Sequence, residues 1–189
     1  MALNQAKLAG AILDIFANKG GVSSVELFEE RWASAYDSYA RDARDISSEG
    51  PLTVNSIGFR RALNFRASSH ASIISAQFEQ AFQTYWTGAL FQFGVPPPPV
   101  PPGCPNIGGN TIFGVELSSL VTLVTPGVMF GQIYPEFLTA SRSDTIEARA
   151  SAIAAAMHRA TTTAVLVLIT GVDTTVPTPP PITNICGIT

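Results

Sequence analysis

The side chains able to do chemistry are few and far apart. The only histidines are His70 and His158, and the only cysteines are Cys104 and Cys186. Metal-assisted hydrolysis needs two imidazoles one helical turn apart, and no His-Glu-x-x-His spacing occurs. No Gly-x-Ser-x-Gly supplies a nucleophile elbow, and no Gly-x-x-x-x-Gly-Lys-Ser/Thr cradles a phosphate. Gly20-Gly21 and Gly108-Gly109 lack that frame and read as turns. Glu29 and Glu30 are adjacent, so on a helix they diverge by about 100° and cannot work as a pair. Asp42 and Asp45 share a face but sit beside Arg41 and Arg44, the pattern of an ordinary salt-bridged surface. His158 has no partner at metal or triad spacing and reads as a core or boundary histidine. The expectation is therefore a non-enzymatic chain with no catalytic residue, no cofactor and no metal site. Cys104 and Cys186 each follow a proline run, where a thiol is exposed. They can bond to each other, bond between neighbouring subunits, or remain free thiols.

Composition narrows the function classes. Only 13% of the 189 residues are charged, about half the usual share, and 46% are hydrophobic. That excludes an intrinsically disordered chain, which needs the opposite balance. A net charge of −3 argues against a nucleic-acid binder, whose affinity comes from clustered Lys and Arg. The charge is also uneven. Residues 1–94 carry 8 basic and 9 acidic side chains, 109–189 carry 3 and 5, and 95–108 and 174–189 carry none. So little charge solvates a bare surface poorly, and contact with other subunits is the simplest remedy. A homo-oligomer is expected. Asp14 interrupts the apolar run 8–13, so no targeting segment is expected. The apolar stretch Thr111–Gly131 contains Glu116 and Pro126, and Thr163–Val172 is half the length of a spanning helix, so both read as core.

The elements follow from periodicity. Leu8, Ile12, Ile15 and Phe16 share a helical face within 2–18, which Gly20-Gly21 ends. Ser23 and Glu26 form a capping box ahead of Val25, Phe28, Trp32, Tyr36, Tyr39 and Ala43, the clearest amphipathic helix. Residues 47–58 break the pattern, and a basic patch of Arg60, Arg61 and Arg66 follows. Ser68 or Ser69 caps a helix carrying Ile74, Phe78, Phe82 and Tyr85, and 86–95 is compatible with a short strand. Seven prolines within 96–105 make a stiff extended spacer. Beyond it, Leu117, Leu120, Val121 and Val124 suggest a short buried helix. Residues 128–140 read as a helix limited by Pro135. The stretch Ser143-Asp144-Thr145-Ile146-Glu147 offers an N-cap for a helix with the small-residue stripe Ile146, Ala150, Ile153, Met157 and Ala160. The β-branched run 161–172 reads as a strand, and prolines return at 177–181.

The two halves follow one plan: helix, strand, prolines, cysteine. Gly94-Val95 matches Gly171-Val172 at an offset of 77. An internal duplication explains this, and chance recurrence of short Gly-Val and proline motifs is the competing explanation. The predicted fold is mainly α: a helical bundle of two related helix-pair units with short β-strands and Pro-rich extended arms. The boundaries are unit one at 1–95, a Pro-rich linker or arm at 96–108, unit two at 109–172 and a C-terminal arm at 173–189. The expected subunit contacts are Pro97, Pro99, Pro102, Pro179 and Pro181 in the arms, with Trp32 and Trp86 on an aromatic ridge that suits the core better than an interface.

Three stretches carry a resemblance: Trp32-Ala33-Ser34-Ala35-Tyr36-Asp37-Ser38-Tyr39-Ala40, Phe82-Gln83-Thr84-Tyr85-Trp86, and the run from Arg149 through His158 to Thr162. In composition and rhythm the chain resembles small structural proteins of tailed-bacteriophage virions, from the neck, collar or tail region. The likeness spans most of the chain and includes no catalytic or binding motif, so no functional residue carries over. It implies a non-enzymatic, multi-copy building block, a head-tail connector component or ring, assembled in the host cytoplasm with other virion proteins. Two rival readings remain. One is a membrane-active or lipid-binding helical protein using 111–131 and 163–172. The other is a small hydrolase with His158 as base.

Overall fold

Each helix begins where a side chain can satisfy its free N–H groups. In α1 (Gln5–Phe16) the Asn4 side-chain Oδ1 accepts from the Lys7 N–H at 3.1 Å, and Leu8, Ile12 and Ile15 are buried along one stripe. In α2 (Val25–Ala40) the cap is Ser24, which accepts from the Leu27 N–H at 3.2 Å. The expected Ser23 box is therefore displaced by one residue. Glu26 then stands too early to reach back to the cap, and it pairs with Arg66 instead. The computed structural model describes residues 3–18, 21, 24–44, 50–66, 70–91, 113–139, 145–173 and 181–189, with backbone alone for 113–119, 122, 169–173, 181–184 and 186.

The interrupted stretch after α2 holds two short elements that periodicity did not reveal. They are β1 (Pro51–Thr53) and α3 (Ser56–Ala62), the latter capped by Asn55 on the Gly58 N–H at 2.8 Å. A Cβ at Gly58 would lie 2.6 Å from the Thr84 methyl, so only glycine lets α3 approach α4 (Ala71–Trp86) this closely. His70, not a serine, occupies the cap position of α4. After β2 (Leu90–Phe91) and the 92–112 segment, the expected helix around 117–124 is instead a strand, β3 (Phe113–Val124). Bulges explain the misreading. The β3 register shifts between Val121 and Leu123, so the buried Val121 and Val124 stand three apart rather than two, which imitates a helical spacing.

Helix α5 (Val128–Leu138) runs through Pro135, and α6 (Ile146–Ala164), capped by Thr145, extends three residues past the predicted strand start. Thr161, Thr162 and Thr163 tolerate the helix because their hydroxyls donate to the carbonyls of Met157, His158 and Arg159 at 2.9, 3.0 and 2.7 Å. Strands β4 (Val165–Asp173) and β5 (Pro181–Gly187) complete an antiparallel sheet in the order β1-β2-β3-β4-β5. The protein is thus mainly helical with antiparallel strands, as the sequence predicts.

The buried side chains form one cluster drawn from both halves. Helix α6 packs against α1 and α5, α4 against α3 and α5, and β2 pairs with β3. The boundary between 1–95 and 109–172 is therefore not a boundary between cores. The 173–189 arm is in part the sheet strand β5, and Thr189 exchanges backbone hydrogen bonds with Arg44 at 2.9 and 3.0 Å.

One joint between α4 and α5 depends on a single carboxylate. Gly127, at φ 78°, leaves the start of α5 without a side-chain cap of its own. Glu79 supplies it from α4: its oxygens accept from the Gly127 N–H at 2.8 Å and the Phe130 N–H at 2.9 Å, while Gln83 also donates to it at 2.9 Å. A carboxylate at a helix N-terminus is stabilised by both the free donors and the helix dipole. Glu79→Ala is predicted to destabilise the protein by about 1–2 kcal/mol in urea unfolding, the loss of a charged cap. A loss under about 0.3 kcal/mol would show that water serves these donors equally well.

Candidate functional site

The polar groups that the fold brings together are buried between α2, α4 and α6. Trp86 Nε1 can only donate, and it donates to the Tyr36 hydroxyl at 2.8 Å. Thr161 spends its own proton on the Met157 carbonyl, so the 2.9 Å contact between Tyr36 and Thr161 is satisfied with Tyr36 donating. The result is a directed chain from indole to phenol to threonine to helix carbonyl. Tyr36 is wholly buried, stacked on Phe59 at 4.8 Å and edge-on to Tyr85 at 5.3 Å. Burial pushes its hydroxyl well above the ordinary phenol range, which keeps the donor protonated. Beside it, Tyr39 meets His158 Nδ1 at 2.7 Å, satisfied when the phenol donates and the ring carries its proton on Nε2. Tyr85 donates to Asp37 at 2.8 Å, and Arg41 holds the other Asp37 oxygen at 2.8 Å.

This arrangement holds helices together. It engages His158 Nδ1 with the Tyr39 phenol. Burial lowers its pKa from the ordinary imidazole value. Among the described residues no group of three or more His, Cys, Asp or Glu is placed to hold a metal.

The predicted site residues scatter. Trp32 and Trp86 are 2% and 0% exposed, so they belong to the core and present nothing to a neighbouring subunit. Their size and apolar rings make interior packing the stronger claim on them. Trp32 sits edge-on to Phe16, Phe28 and Phe78, beside a cleft of about 230 Å³ that Phe65, Ile74 and Phe137 also line. Pro181 opens β5 opposite Val172, and Cys186 stands opposite Val167 in the same strand pair. Pro97, Pro99, Pro102, Pro179 and Cys104 lie outside the described residues. The basic patch is largely compensated. Arg66 pairs with Glu26, and Arg60 with Glu30 at 3.2 Å, along an open groove of about 640 Å³. Asp42 pairs with Lys7 at 2.7 Å rather than with a neighbouring arginine. Glu29 accepts from the Phe65 N–H at 3.0 Å.

Sequence reasoning missed the outer face of the sheet. Val121, Val165 and Val167 turn inward and are buried, so the alternate positions turn away from the helices. The register aligns Thr53, Leu90, Leu120, Leu168 and Ile185 in one row across all five strands, with Leu123 and Leu166 in the next. Leu120, Leu123 and Ile185 remain 37%, 48% and 47% exposed. The alternation 165–168 carries this signal, but which parity faces water depends on where α4 and α6 pack.

No helix among the described residues is long and apolar enough to cross a membrane. The two stretches considered for that role are occupied chiefly by β3 with the start of α5, and by β4. The chain matches no protein-family model, and comparison with characterised proteins and with solved structures likewise gives no match.

Two predictions follow from the buried network. Tyr36→Phe strands the Trp86 N–H without an acceptor, at a cost of about 1–3 kcal/mol in chemical unfolding with helical content retained. A Trp86→Phe background should remove most of that cost, and equal costs in both backgrounds would dissolve the relay. The second concerns pH. The folded value of His158 lies below the unfolded value of about 6.5, so its contribution is present above that pH and lost as pH falls through the lower folded value. The melting temperature should fall between pH 7.5 and 5. His158→Gln, which still accepts from Tyr39, should flatten that fall, and an unchanged slope would contradict the assignment.

Proposed function

We propose that this protein is a non-enzymatic structural subunit of a multi-copy assembly, of the kind found in the neck, collar or connector of a tailed-phage virion. The observation that carries the reading is a strand register. Phe113 pairs with Asp173, and Pro181 with Val172, so the ends of both proline-rich segments meet one end of the same sheet. Those segments, 95–108 and 174–189, contain no charged residue. Strands β3 and β4 continue past the last pairing with β2 at Leu120, which carries that end away from the two-residue strand β2. Two uncharged, proline-rich segments meeting at one sheet end, beside Glu116 and Asp173, suit capture by neighbouring subunits, because proline-rich chain loses little conformational entropy on binding.

The polar side chains support the same reading. His158, Tyr39, Tyr36 and Asp37 all contribute to holding helices together. The virion setting rests on the resemblance, and the assembly on the register and composition. Native mass spectrometry of the purified chain is expected to give a discrete species of several copies, six or twelve for a ring around an axis. A single copy of 20.0 kDa at micromolar concentration would overturn the reading.

A further inference from the structure

We infer that the outer face of the sheet is where a second copy of this chain docks, sheet against sheet, with the Leu90, Leu120, Leu168 and Ile185 row at the centre of the contact. This rests on the multi-copy reading above and names the surface that reading leaves open.

One face of the sheet is already spent. Helices α4 and α6 pack on β3, β4 and β5, and Phe91, Val121, Val165 and Val167 are buried beneath them. The other face carries leucine and isoleucine at the positions where a half-solvated sheet carries polar residues. Leu120, Leu123 and Ile185 are more than a third exposed, and Leu90, Leu166 and Leu168 are half-buried. Singly exposed leucines are ordinary on protein surfaces. A continuous apolar row crossing four of the five strands is a patch, and patches of this kind mark interaction sites.

Charge selects the occupant. The two acidic residues of the long strands, Glu116 and Asp173, pair with Gly171 and Phe113, four residues before Leu120 and five after Leu168. Among the described side chains of the outer face, the row and the adjacent Leu123 and Leu166 include no charged residue. Such a face offers nothing to recognise a charged partner. It meets its own image without like-charge repulsion, which a self-complementary interface requires.

The area is sufficient. The strands contain 3, 2, 12, 9 and 7 residues. At about 3.3 Å per residue and 4.8 Å between strands they present roughly 500 Å². Two copies face to face would then bury on the order of 1,000 Å², the lower bound of a specific interface. Two sheets packed about 10 Å apart let branched side chains from both interdigitate, which fits leucine and isoleucine on successive strands.

The test is sedimentation velocity on the full chain and two double variants. Leu120→Glu with Leu123→Glu puts charge at exposed positions of the face. Leu168→Thr with Ile185→Thr keeps β-propensity while removing apolar contact, which covers the case in which the first variant fails to fold. Circular dichroism confirms that a variant is folded. The expected result is a multi-copy wild type and a folded variant whose apparent association constant falls at least tenfold. A multi-copy wild type with folded variants of unchanged mass and affinity would overturn this inference and leave the multi-copy reading standing. That outcome would also follow if the chain's own 96–105 segment or a different protein covers the face. A single-copy wild type would overturn both.

Discussion

The hydroxyl of Tyr36 is the point on which the three central helices agree. It lies on α2, accepts from Trp86 at the end of α4 and donates to Thr161 on α6, across sequence separations of 50 and 125 residues. A buried polar atom without a partner costs more than a made hydrogen bond returns, so the network is strongly selective for one arrangement of these helices. The Tyr39–His158 bond repeats the α2–α6 link along the same helix, and the Tyr85–Asp37 bond repeats the α2–α4 link. Because α6 leads directly into β4, and Trp86 stands four residues before Leu90, the helix packing also sets the sheet. Fixing α4 and α6 fixes which face of β3, β4 and β5 is covered.

That constraint explains what the sequence made legible. The stripe of Trp32, Tyr36 and Tyr39 on α2 is local, and its three- and four-residue spacing survives in the buried face. The same holds for Leu8, Ile12 and Ile15 on α1. Strand β3 was illegible because its bulges lengthen the apolar repeat from two residues to three. The α6–β4 boundary was displaced because threonine favours strands on average, yet here its hydroxyls bond back along the helix. The relay was out of reach for a different reason. Tyr36, Trp86 and Thr161 become partners only when both halves of the chain fold around one core, and no spacing announces that.

The fold and the surface divide the labour of the side chains. Hydroxyl, indole and imidazole groups hold the interior, and Glu79 joins α4 to α5. Much of the charge sits as exposed pairs on the helices, such as Lys7 with Asp42 and Arg60 with Glu30, where each contributes little to stability. Among the described side chains, the outer face of the sheet presents an aliphatic row, Leu90, Leu120, Leu168 and Ile185, to other molecules. That division is what the proposed role as a structural subunit asks of the chain.

Hydrogen exchange measured at two protein concentrations addresses that claim most directly. Amides of α2 and α6 report the interior and should exchange alike at both. Amides of β4 and β5 should exchange more slowly at the higher concentration, because docking suppresses local opening of the sheet. Identical exchange across 165–173 and 181–187 at both concentrations would mean that the sheet gains nothing from company, and the account of this protein as one piece of a larger object would be contradicted.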